Sequence, residues 1–161
     1  MLGKSQDSEN IYLYLEAVQG LPVHKLLQMA GPLNESMANL ICIQVALIMR
    51  DFHKAGYIYR DIKASNFMMN SNGQVKMIDL GHSKKINRER TFTICGTRHA
   101  MPPDIYENKG YSYEFDYYSY GILIYELLTG KSPFGYQTSN PTVKEDSLKG
   151  LTPGSMLLVK N

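Results

Sequence analysis

Residues 116–129 read Asp-Tyr-Tyr-Ser-Tyr-Gly-Ile-Leu-Ile-Tyr-Glu-Leu-Leu-Thr, a segment that is apolar on every face. A helix of that kind cannot lie on a surface, because each of its sides would hold apolar area in water. The segment therefore predicts a buried helix, ended by Gly130, around which the rest of the chain must wrap. With 161 residues, 43% of them hydrophobic, the chain can supply one such core, and one domain is expected.

A second helix is predicted upstream. Met37, Ile41, Val45, Ile48 and Phe52 recur at steps of three and four, the stripe of a long amphipathic helix. Asn34 is placed to cap its start, and Gly56 lies just past its end, where a left-handed residue closes a helix. Residues 11–17, Ile-Tyr-Leu-Tyr-Leu-Glu-Ala, read as a buried strand that Gly20 and Pro22 break, and a short helix is expected over 23–29. Residues 67–69 and 75–78 are strand candidates joined by the turn Asn70-Ser-Asn-Gly73. Residues 79–104 read as a long ordered loop, a feature that usually carries function. Residues 1–10 are expected to form a flexible N-terminus and 135–161 a divergent tail. This order of elements gives an α+β class, mainly helical.

Several function classes are disfavoured. A net charge of +2 without long blocks of one sign argues against a nucleic-acid partner or a membrane surface. No apolar run approaches the ~20 residues of a membrane span, and the first residues hold no signal-peptide core, so a cytoplasmic protein is expected. Cys42 and Cys95 form no metal spacing and read as two free thiols. His24, His53, His82 and His99 have no ligand spacing and read as packing or surface residues.

The chemistry concentrates in Tyr57-Ile-Tyr-Arg-Asp-Ile-Lys-Ala-Ser-Asn66, followed by Asp79-Leu-Gly81. Phosphoryl transfer proceeds through a loose transition state, so a protein contributes positioning and electrostatics. It needs a carboxylate to orient the attacking hydroxyl, hard oxygen ligands for magnesium, and a cation near the moving phosphoryl group. Asp61, Lys63, Asn66 and Asp79 supply these groups. The 67–78 hairpin can fold Asp79 back beside Asn66.

Tyr-Arg-Asp-Ile-Lys-x-x-Asn with Asp-Leu-Gly resembles the catalytic loop and metal-binding motif of eukaryotic Ser/Thr protein kinases. Tyr before Arg-Asp is the variant of the AGC group, and Arg90-Thr-Phe-Thr-Ile-Cys-Gly-Thr97 resembles the activation segment of cyclic-nucleotide-dependent kinases. Lys109-Gly110, Asp116 and residues 121–130 extend the likeness, closest to cGMP- and cAMP-dependent kinases, over residues 11–134. The resemblance implies Asp61 as catalytic base, Lys63 as charge neutraliser, Asn66 and Asp79 as magnesium ligands, and Thr97 in contact with Asp61 and Lys63. It implies ATP and Mg2+ as cofactors and a protein or peptide Ser/Thr substrate. The backbone from Glu16 to Val18 becomes the adenine-binding hinge, with Met68 flooring the base and Leu123 and Leu127 below. Thr93 becomes an activation-loop phosphosite with Arg60 as its partner, and Asp116 braces the catalytic loop.

The sequence contains no Gly-x-Gly-x-x-Gly, and the motifs begin at what the family uses as the last strand of its N-terminal lobe. A kinase-like C-terminal lobe without most of the N-terminal lobe is therefore expected, inactive as an isolated chain. A scaffold fragment that docks a full-length kinase or a regulatory subunit, and a non-functional truncated kinase, are the alternatives. Met101-Pro-Pro-Asp104 replaces the family's Ala-Pro-Glu. Pro22 and Ser65 stand where relatives carry acids, leaving Glu126 to face a basic substrate. A lost preference for Arg-rich peptides is expected.

Overall fold

The computed structural model describes residues 2–87, 89–107 and 109–135. Helix α3, Glu114–Thr129, buries Phe115, Asp116, Ser119, Ile122, Leu123, Glu126 and Leu127 along one side and leaves Tyr117 and Tyr125 exposed, so it is not enclosed on every face as its apolar composition predicted. It starts two residues ahead of the predicted segment, with Glu114 and Asp116 in the first turn, where carboxylates complement the positive helix end. Gly130 closes it at φ 71°, its N–H donating to the Glu126 carbonyl. Against α3 lies α2, Glu35–Lys54. The Asn34 side chain accepts from Met37 N–H at 2.9 Å, and Gly56 follows the helix at φ 84°. Ile41 and Val45 of the apolar stripe are fully buried. Two hydrogen bonds hold the helices in register: Tyr120 hydroxyl to the Cys42 carbonyl, 2.8 Å, and Leu33 N–H to the Leu127 carbonyl, 2.9 Å. The short helix α1 covers Val23–Ala30.

The N-terminal region overturns two expectations. Within residues 2–10, strand β1, Gly3–Gln6, pairs antiparallel with β2, Ile11–Tyr14, from Gly3 opposite Tyr14 to Gln6 opposite Ile11. The fold is thus α+β and kinase-like with an antiparallel sheet of N-terminal-lobe type followed by helices, and not a helical C-terminal lobe alone. The cause lies in the connecting turn. Asp7 Oδ1 accepts from the N–H groups of Glu9 and Asn10 at 2.8 and 2.7 Å, and its Oδ2 accepts from Tyr12 hydroxyl at 2.8 Å. Turn chemistry, rather than apolar alternation, pairs the polar strand Lys4-Ser5-Gln6 with its neighbour. Nor is the 11–17 segment buried, since Ile11, Leu13 and Leu15 are all exposed.

A second sheet has the order β3–β5–β6, built from Gly20–Pro22, Phe67–Asn70 and Val75–Met77. Gly20 and Pro22, expected to interrupt structure, form its edge strand instead. Pro lacks an N–H and is tolerated at an edge. A Cβ on Gly20 would stand 2.3 Å from the Met69 carbonyl oxygen, so only glycine admits this pairing. β4, Tyr57–Ile58, pairs with β7, Lys84–Lys85, inside the predicted long loop.

Two apolar clusters result. Val23, Ile41, Val45, Tyr59, Phe67 and Leu123 belong to one, and Ile58, Ile86, Met101, Ile105, Tyr111 and Phe115 to the other. The chain passes from the second into the first between Ile58 and Tyr59, so both cores pin the start of residues 59–66. Among the described residues no helix is long and apolar enough to cross a membrane.

Candidate active site

Residues 59–66 follow β4 and are held from below by α3. Asp116, with no exposed surface, accepts from the backbone N–H groups of Tyr59 and Arg60 at 2.8 Å each. His53 Nε2 reaches the same carboxylate at 2.7 Å. A buried carboxylate survives only when its oxygens are engaged, and here they fix the loop's main chain. The predicted brace is therefore present as geometry, and His53 is a partner that lack of ligand spacing had hidden. Arg60 follows at φ 69°, a left-handed conformation that costs a side-chain-bearing residue energy and persists only where its surroundings enforce it.

Asp61 is 3% exposed and carries a dense set of contacts. Lys63 Nζ lies 2.8 Å from its Oδ2, Asn66 Nδ2 donates to Oδ2 at 2.7 Å, and Thr97 hydroxyl donates to Oδ1 at 2.6 Å. Lys63 also donates to Thr97 Oγ1 at 2.9 Å, closing a triangle. Burial by itself pushes the Asp61 carboxyl up; the bonds from Lys63, Thr97 and Asn66 outweigh it and hold the group below the ordinary carboxylate value. It is therefore an ionised acceptor at neutral pH. The structure thus gathers Asp61, Lys63, Asn66 and Thr97 into one cluster. Gly96 permits the approach of Thr97's segment: at φ 105°, a Cβ there would stand 2.3 Å from the Arg60 carbonyl oxygen.

Asp79 arrives by the β5–β6 hairpin. Ile78 N–H donates to the Asn66 carbonyl at 2.8 Å, so Asp79 emerges one residue beyond that bond. Its φ is 60°, and its Oδ1 accepts from Gly81 N–H at 3.0 Å. Asn66 directs its amide nitrogen to the Asp61 carbonyl at 2.9 Å as well as to the carboxylate, which turns its own carbonyl oxygen to the opposite side. One exposed carboxylate and one amide oxygen suit magnesium, a hard ion that keeps water and phosphate oxygens in its other positions. Among the described residues no group of three or more His, Cys, Asp or Glu could hold a metal unaided, so such an ion would lean on a nucleotide.

The predicted hinge residues, 16–18, lie between β2 and β3. Glu16 is exposed and paired with Lys76 of β6, and Val18 is half-buried. Lys76 sits opposite Met68 in the β5–β6 register, so both side chains share a sheet face. That face is opposite the one through which Phe67 and Met69 join the core. Lys76 thus ties Glu16 to β6, the neighbour of the strand carrying Met68, a link of 60 residues that no local pattern revealed. Leu123 and Leu127 lie in the core beneath.

Thr93 is exposed, and its hydroxyl is not the group that Arg60 meets. The Arg60 guanidinium donates through Nε to the His82 carbonyl, 2.6 Å, and through Nη1 to Tyr111 hydroxyl, 3.2 Å. Lys84 Nζ donates to Thr91 Oγ1 at 2.8 Å. Beside the Asp61 cluster, a cavity of about 360 Å³ is lined by His24, Gln28, Lys63, Ser65, His99 and Glu126 among others. His99 Nε2 stands 3.3 Å from Glu126 Oε1, within ion-pair distance but out of line for a hydrogen bond.

Comparison with known proteins places these residues in a wider set. The protein kinase domain family model matches residues 1–153. That match starts at the first residue, so the likeness is not confined to a C-terminal lobe, as the motifs alone suggested. A cAMP-dependent protein kinase, catalytic subunit-like, of Caenorhabditis briggsae is 34% identical over 139 residues, covering 86% of this chain and 36% of that protein. Human cGMP-dependent protein kinase 2 is 36% identical over 130 residues, 80% of this chain and 17% of the relative. An Aurora kinase of Dictyostelium discoideum is 37% identical over 134 residues, 83% of this chain and 35% of the relative. The chain's matched span is about a third or less of the length of these relatives.

Proposed function

Because this chain belongs to the protein kinase domain family, within the Ser/Thr protein kinase superfamily, we propose that it transfers the γ-phosphoryl group of Mg-ATP to Ser or Thr hydroxyls of a protein or peptide. The observation that carries this reading is the buried, ionised Asp61 with Lys63, Asn66 and Thr97 all directed at it. Asp61 orients the acceptor hydroxyl and takes its proton. A carboxylate held below its ordinary value is a weak base, which suits a loose transition state in which the proton leaves late. Lys63, anchored by Asp61 and Thr97, presents its ammonium to the moving phosphoryl group. Asn66 and Asp79 hold magnesium, which neutralises phosphate charge when bound. The backbone of Glu16 to Val18 bonds adenine over Met68, and Thr93 is a phosphosite served by Arg60. These 161 residues contain no Gly-x-Gly-x-x-Gly to cover the phosphates, so turnover by them alone is expected to be slow.

The substrate is a peptide with little selection for arginine. Glu126 is the carboxylate left in the cavity beside Lys63, and His99 competes for it. The test uses the full chain with γ-labelled ATP, magnesium and a mixed Ser/Thr peptide library. Slow transfer that Asp61→Asn reduces by about 10²–10⁴-fold is expected. No transfer by the wild type at saturating nucleotide would overturn the reading.

A docking role is favoured by one different observation, the exposed row Ile11, Leu13 and Leu15. It predicts a complex with a full-length kinase or its regulatory subunit that Leu13→Lys abolishes, measured by sedimentation.

A further inference from the structure

Tyr111 has no role in the reading above, yet its hydroxyl joins two segments of the site. Arg60 Nη1 donates to it at 3.2 Å, and it donates to the carbonyl of Thr93. Cys95 Sγ lies 3.9 Å away. The phenol's single hydrogen is spent on Thr93, so in the cysteine contact the thiol is the donor. The ring is 3% exposed and packs on Phe115 at 4.9 Å between centroids. Its main chain exchanges two 2.8 Å hydrogen bonds with Thr91, and Arg90 Nε donates to the nearby Lys109 carbonyl at 3.0 Å. Tyr111 is thus fixed by its backbone and its ring before its hydroxyl is counted. Burial pushes the phenol up against the opposing bond from Arg60, so it keeps the proton it gives to Thr93.

The two ends of this bridge matter. Arg60 precedes Asp61, and Thr93 precedes Thr97, the residue that donates to Asp61 at 2.6 Å. Gly96 leaves no room for a Cβ beside the Arg60 carbonyl, so the segment meets the loop there and through the phenol as well as through the Thr97 bonds to Asp61 and Lys63. We propose that Tyr111 is a positioning residue: its hydroxyl ties residues 91–97 to the catalytic loop and sets Thr97 against Asp61 with no phosphate on Thr93. This rests on the kinase reading for its consequence, and on geometry alone for the tie itself.

Tyr111→Phe in the full chain removes one oxygen and keeps the ring on Phe115. Alkylation of Cys95 by iodoacetamide, followed by mass spectrometry, reports the tie, with buried Cys42 as internal reference. Cys95 is expected to react about tenfold faster in the variant, the equivalent of one lost hydrogen bond, with Cys42 unchanged. Phosphoryl transfer is expected to lose about tenfold in kcat, with KM for ATP unchanged. An unchanged Cys95 rate overturns the proposal, as does an unchanged kcat. Should the Phe variant expose Cys42 too, Arg60→Lys removes the guanidinium contact from the other side. The same rise at Cys95 is expected there, and no rise overturns the proposal. A wild-type chain that transfers no phosphate removes the kinase reading, and the thiol comparison still decides on Tyr111.

Discussion

Residues 59–66 bury Arg60, Asp61 and Asn66 and give each of them partners, whereas the β1–β2 hairpin and the residue after it leave Ile11, Leu13 and Leu15 in water. Polar groups are inside in one region, and apolar groups are outside in the other. The first arrangement is costly unless nearly every donor and acceptor is met, and here Asp116, Lys63 and Thr97 meet them. The second leaves apolar area uncovered and contributes little to stability. The loop's geometry is set by constraints within the chain, whereas the hairpin's apolar area is left without a partner from the described residues.

The contrast can be broken most severely at Asp116. Asp116→Ala strands the N–H groups of Tyr59 and Arg60 and unpairs His53, and is expected to cost roughly 3–5 kcal/mol in urea unfolding. A cost under 1 kcal/mol would show that the loop does not depend on α3. Gly96→Ala comes next. It places a Cβ against the Arg60 carbonyl at positive φ and should cost roughly 1–3 kcal/mol by the same measurement. A smaller effect comes from acid. The folded Asp61 carboxyl lies below its ordinary value of 3.8, so its bonds stabilise fully above that pH and are lost as pH falls through the lower folded value. Asp61→Asn should flatten this acid limb of the melting-temperature profile, and a limb of undiminished slope would exclude Asp61 as its source. The smallest change belongs to the hairpin. Leu13→Lys should leave stability within about 0.5 kcal/mol, and a larger loss would mean that the hairpin is part of the core.

The sequence made the helices legible because their signals are local. Asn34 caps where expected, Ile41 and Val45 face inward, and Gly130 closes the central helix. The Asp61, Lys63 and Asn66 cluster was legible for the same reason, since one short loop carries all of it. Strand β1 was not, because Lys4-Ser5-Gln6 has no apolar alternation. Its signal was the Asp7-to-Asn10 turn, which could have been read from Asp-Ser-Glu-Asn. His53 with Asp116, Lys76 with Glu16 and Tyr111 with Arg60 span 63, 60 and 51 residues, and no periodicity encodes a pairing at that separation.

The Asp116 contact also has a consequence in time. Its two hydrogen bonds to residues 59 and 60 close segments of 57 and 56 residues, and closure over such lengths is slow. A nascent chain that has emerged only as far as Gly110 contains Asp61, Lys63, Asn66, Asp79 and Thr97 without the carboxylate that shapes residues 59 and 60. The site is therefore assembled only after α3 has left the ribosome and docked, and until then the chain carries the motif without the geometry.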